Sequence, residues 1–94
     1  IWTHPLLVSH AFHSPLMEPI LEAFEAVASK INFSTPKLKL ISNLSGAYVG
    51  SEVATPQYWV SHLRQAVHFS AGIERLCQEG IEVFLELGPR PVLL

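Results

Sequence analysis

Two cap-and-proline pairs, Ser14-Pro15 and Thr55-Pro56, set what this chain can fold into. A hydroxyl at the N-cap satisfies a free N–H, and proline at the first helical position already has a helical φ. Each pair opens an apolar pattern at helical spacing. The first runs through Leu16, Ile20, Phe24, Val27 and Ile31, the second through Tyr58, Trp59 and Leu63. Pro19 cannot donate to the carbonyl of Pro15, so an irregular first turn is expected, with the regular helix beginning at Glu18-Pro19. A third helix is expected from about Phe69 to Glu79, with Phe69, Ile73, Leu76 and Cys77 inward and Gly80 at its C′ position. Residues 37–42 alternate polar and apolar and read as a strand; Ile81 to Leu87 reads as a second, largely buried one. Helices and strands alternate without hairpin signals. The expected class is therefore α/β, with helices packed on a small, mostly parallel sheet. Two or three strands do not complete such a layer.

Composition points the same way. Of 94 residues, 49% are hydrophobic and only 15% charged, and the mean hydropathy is +0.31. Such a chain either crosses a membrane or covers its apolar faces with further protein. No run approaches the roughly 18–20 apolar residues of a spanning helix, so the second reading stands. The start, Ile1-Trp2-Thr3-His4-Pro5, has no signal-peptide pattern and reads like a cut inside a longer polypeptide. A net charge of −2 with six scattered Lys and Arg gives no footprint for nucleic acid or anionic lipid. The single cysteine, Cys77, fits a reducing, cytoplasmic setting.

Chemistry concentrates in residues 8–19, where His10, Phe12 and His13 precede the first helix start. Just outside a helix N-terminus, a histidine ring serves as a proton acceptor rather than as a standing cation. His10-x-x-His13 with His4 nearby invites a metal, but no cysteine or carboxylate partner is directed there, and no metal site is expected. A base implies a nucleophile, yet no Gly-x-Ser-x-Gly elbow occurs among the nine serines. Cys77 falls in an apolar stripe and reads as core. Read on its own, His13 could equally be a capping or core histidine, Phe12 a core aromatic, and His62 a helix-face residue. Asn43, at a strand end, could touch a site or close a turn. Glu86 reads as a solvated or hydrogen-bonded strand-end carboxylate rather than a reactive one.

Residues 8–19, Val-Ser-His-Ala-Phe-His-Ser-Pro-Leu-Met-Glu-Pro, closely resemble the catalytic-histidine segment of polyketide synthase acyltransferase domains, relatives of malonyl-CoA:acyl carrier protein transacylase. Leu-Ile-Ser-Asn (40–43), Tyr-Trp-Val-Ser-His-Leu-Arg-Gln-Ala-Val-His-Phe (58–69) and Phe-Leu-Glu-Leu-Gly-Pro (84–89) agree in the same order. The resemblance implies the C-terminal portion of such a domain over residues 1–94, part of an α/β-hydrolase-like large subdomain. Residues 1–8 would be the exit from its ferredoxin-like insertion. It also implies that His13 is the catalytic base, oriented by the main-chain carbonyl of His62. The serine elbow and a carboxylate-binding arginine would come from the remainder of the domain. Malonyl-CoA would be the substrate, and the phosphopantetheine thiol of an acyl carrier protein the acceptor; the segment itself would bind no cofactor. His10-Ala11-Phe12-His13 matches the form that accompanies malonyl selection, with Phe12 and His10 contacting substrate, while Tyr-Ala-Ser-His accompanies methylmalonyl. Alone, the segment is expected to be inactive. Two alternatives are a non-catalytic acyltransferase remnant acting as an interaction module and a free-standing transacylase of fatty acid synthesis.

Overall fold

The computed structural model describes residues 1–93. Ser14 caps the first helical segment as its sequence implies, its Oγ accepting the N–H of Leu16 at 3.3 Å while donating to the carbonyl of Ala11 at 2.7 Å. Pro15–Ile20 is a 3-10 turn containing Pro19, and the regular helix α1 begins later, at Leu21–Ala28. This longer irregular start changes which face is buried. A 3-10 turn advances about 120° per residue instead of 100°, so six residues shift the helical phase by roughly one third of a turn. The stripe of Leu16, Ile20, Val27 and Ile31 is consequently exposed, whereas Leu21 and Phe24 are half-buried and Ala28 buried. That inner face packs on α2, Pro56–Arg64.

Thr55 caps α2 through its Oγ1, which accepts the Tyr58 N–H at 3.3 Å. A 3-10 turn, Ser51–Ala54, leads into it and supplies the buried Val53, whose carbonyl accepts the Trp59 indole N–H at 2.9 Å. Helix α3, Phe69–Gln78, ends on Gly80. With φ at +80°, Gly80 donates to Cys77 at 3.0 Å, and Ile81 donates to Leu76 at 3.1 Å. These two bonds satisfy the last carbonyls in the Schellman pattern.

The sheet corrects the sequence reading. Its two strands, β1 (Leu40–Ile41) and β2 (Tyr48–Val49), are antiparallel, with Leu40 opposite Val49 and Ile41 opposite Tyr48. No parallel pair occurs among the described residues. The hairpin was hidden because its turn, residues 42–47, lacks a two-residue Asn-Gly type signal and instead reverses at Gly46, φ +67°. Ile81 to Leu87 forms no strand, since an extended segment needs a hydrogen-bonded neighbour and none of the described residues supplies one. Its Val83, Leu85 and Leu87 are exposed rather than buried, and Phe69 and Cys77, both expected inward, are exposed as well. Glu86 accepts the N–H groups of Val92 at 2.8 Å and Leu93 at 3.2 Å, closing the turn at Gly88 to Pro91. No helix among the described residues is long and apolar enough to cross a membrane.

Candidate active site

The site is built where the loop of residues 9–14 meets the C-terminal end of α2. His13 has a φ of +63°, in the left-handed region that L side chains rarely occupy. Such a conformation costs on the order of 1–3 kcal/mol and persists only where the surroundings hold it. Here its N–H donates to the carbonyl of Leu63 at 2.9 Å, and Ser14 closes the loop from the other side. Arg64 adds a side-chain tie to the same region, with its guanidinium 2.8 Å from the Glu18 carboxylate.

The imidazole of His13 is half-buried, with Nδ1 2.7 Å from the carbonyl oxygen of His62 and 3.2 Å from that of Gln65. Carbonyls only accept, so Nδ1 must carry the hydrogen. In the neutral ring this leaves Nε2 unprotonated and able to take a proton. Spacing alone puts His13 beside the positive end of the following segment. The structure adds the opposite pole, because the same residue also sits on the negative, C-terminal end of α2.

His62 contributes more than its carbonyl to the packing. Its ring meets the His13 ring edge-on, with centroids 5.3 Å apart at 83°, and lies against Trp59 at 5.7 Å and Tyr58 at 6.1 Å. Burial pushes the His62 imidazole below its ordinary value of 6.5, and a charge on nearby His13 acts in the same direction. The Tyr58 hydroxyl in turn shares a 2.5 Å hydrogen bond with Ser42, which is 2% exposed. A part-buried hydroxyl pair thus joins the end of β1 to the helix that carries His62.

Of the other residues singled out from sequence, His10 and Phe12 form an edge-on ring pair at 5.7 Å and 67°, and Phe12 stays 53% exposed. Asn43 acts through its backbone, its carbonyl accepting the His68 N–H at 2.7 Å where α3 begins. His4 lies apart, stacked on Trp2 at 6.4 Å. Sequence reasoning missed Leu63 and Gln65, because a main-chain acceptor can be any residue type. The usable signal was indirect: the helix start at Thr55-Pro56 and the last apolar residue of its pattern, Leu63, locate the helix end that supplies them.

Comparison with known proteins gives the family to which the chain belongs. The acyl transferase domain family matches residues 3–94. The chain is 46% identical over 86 residues to the phenolphthiocerol synthesis polyketide synthase type I Pks15/1 of Mycobacterium bovis, covering 92% of this chain and 4% of that protein. It is 42% identical over 87 residues to polyketide synthase GfsA of Streptomyces halstedii, covering 93% of this chain and 1% of that protein. Among solved structures, the acyltransferase domain from the second module of the salinomycin polyketide synthase superposes with a TM-score of 0.74 at 47% identity, covering 81% of this chain and 18% of that one. The acyl transferase domain of ZmaA gives 0.77 at 35% identity, covering 83% and 18%. The chain therefore spans a small fraction of the curated relatives it matches. On this match across nearly its whole length, the chain belongs to the acyl transferase domain family, and its relatives are type I polyketide synthases.

Proposed function

We propose that His13 is the general base of an acyl transfer in which a malonyl group passes from malonyl-CoA to a carrier protein. The observation that carries this reading is the 2.7 Å bond from His13 Nδ1 to the His62 carbonyl, which leaves Nε2 as a proton acceptor. Nε2 takes the hydroxyl proton of a serine from the rest of the domain as its oxygen attacks the thioester carbonyl. The resulting imidazolium gives that proton to the departing CoA thiolate, and an acyl-serine remains. The phosphopantetheine thiol of an acyl carrier protein then attacks the acyl-serine, with the same histidine accepting its proton and returning it to the serine oxygen as the ester bond breaks, so the reaction is ping-pong with two similar halves. These 94 residues contain no Gly-x-Ser-x-Gly elbow, so the nucleophile would come from the remainder of the domain, as the family resemblance also implies for the carboxylate-binding arginine.

Phe12 and His10 support malonyl as the acyl group. Phe12 immediately precedes the base and is exposed, so in this reading its ring would take the space that an α-methyl needs. The anchor of His13 is a dipole rather than a carboxylate, which fixes the tautomer without placing a full negative charge beside the ring.

The test is acyl-enzyme formation in the intact parent. His13→Ala should slow it by about 10²–10⁴-fold. His62→Gln, which keeps the backbone carbonyl, should slow it far less. Equal damage from both would mean that the His62 ring, not its main chain, is what the base requires.

A further inference from the structure

We infer that Gln65 is a positioning residue for this transfer, acting through its main-chain carbonyl as the second acceptor of the His13 Nδ1–H. The inference rests on His13 being the general base. A helix end leaves carbonyls without intrahelical donors. At the end of α2 the Ser61 carbonyl is taken by the Gln65 N–H at 2.9 Å. The next two, His62 and Leu63, are both taken by His13, one by its ring and one by its N–H. Gln65, extended at the C-cap with φ −87° and ψ 158°, brings a third carbonyl to within 3.2 Å of the same ring nitrogen. One residue thus receives most of the free acceptor capacity of this helix end.

That arrangement matters most when the ring is charged. His13 becomes an imidazolium as the serine attacks, and the C-terminal end of a helix stabilises a cation. Hydrogen bonds from a charged donor are also shorter and stronger than neutral ones. The 2.7 Å contact with His62 is already short in the resting site, while the 3.2 Å contact with Gln65 has room to tighten as charge develops. The cation in the last turn of α2, Arg64, does not oppose this, because it is paired with the Glu18 carboxylate at 2.8 Å. The His62 ring that meets His13 edge-on is held towards its neutral form. Two acceptors on one nitrogen also restrict rotation of the ring, keeping Nε2 aimed at one place.

Ala66→lactic acid, introduced by nonsense-codon incorporation into the intact acyltransferase, converts the Gln65–Ala66 amide to an ester. An ester carbonyl is the weaker acceptor, every side chain is retained, and the N–H removed donates to no group among the described residues. The single-turnover acylation rate constant with malonyl-CoA should fall about two- to fivefold. KM for the thioester and the thermal midpoint should stay unchanged. Unaltered acylation in the ester variant, with His13→Ala still slow in the same assay, would overturn the role of Gln65 and leave the general base intact. Unaltered acylation in His13→Ala would remove the reading beneath it. A loss accompanied by a raised KM or a lowered thermal midpoint would mark a structural effect and also overturn the proposal.

Discussion

At Phe12 the ring lies edge-on to His10 and the residue is 53% exposed, so it borders open space one residue before His13, the proposed base. One methyl in a pocket is worth about 1–3 kcal/mol, or roughly 10–200-fold in selectivity. Phe12→Ser should therefore relax the preference for malonyl over methylmalonyl thioester by up to that factor without fully reversing it. Competition between the two thioesters in the intact parent measures the ratio of kcat/KM values; an unchanged ratio would return Phe12 to a purely structural role. Residue identity was legible here because side-chain chemistry is written in the sequence. The left-handed backbone of His13 was not, since its φ of +63° is imposed by the Leu63 carbonyl from a helix 50 positions away. Gln65 was invisible for a related reason, as its contribution comes from an atom that nearly every residue possesses.

Elements marked by local chemistry emerged where the sequence placed them. Ser14 and Thr55 cap, Pro15 and Pro56 begin, and Gly80 ends helical segments, because each acts on bonds within a few residues. Elements that depend on a partner did not. Ile81 to Leu87 has the alternation of a strand, but alternation records a preference and pairing needs a neighbour. Gly46 belongs between these cases. Its φ of +67° turns β1 back toward β2, and a Cβ there would sit 2.6 Å from the Ala71 Cβ of α3 and 3.3 Å from the His68 carbonyl. Gly46→Ala must therefore accept a left-handed backbone and force apart the hairpin and α3. The combined strain and overpacking should destabilise by roughly 2–4 kcal/mol. Denaturant unfolding of the intact acyltransferase checks this, and a change below about 0.5 kcal/mol, the usual range of surface substitutions, would show that the turn can relax around the methyl.

Across the molecule, little apolar surface is hidden by the chain itself. The only buried apolar side chains among the described residues are Ala28 and Val53, while residues as large as Trp2, Leu16, Val27, Leu38, Phe69 and Leu85 are exposed. The radius of gyration is 15.0 Å, against about 12–13 Å for a compact domain of this length. Phe69, Ile73, Phe84, Leu85 and Leu93 line an open cleft of about 380 Å³ rather than a closed core. An apolar surface of this extent favours association in water, because hydrophobic burial is non-directional and any complementary apolar face satisfies it. His13 is anchored on α2, and the 94 residues contain no Gly-x-Ser-x-Gly elbow to supply the serine of the proposed transfer. The isolated chain should therefore bind an apolar dye and self-associate at micromolar concentration, and it should take no covalent label from radiolabelled malonyl-CoA. Light scattering and scintillation counting on the purified 94-residue protein measure the two separately. A monodisperse, dye-silent chain would mean that these apolar faces pack against one another in solution. Stoichiometric labelling would mean that a nucleophile other than an elbow serine lies within reach of His13.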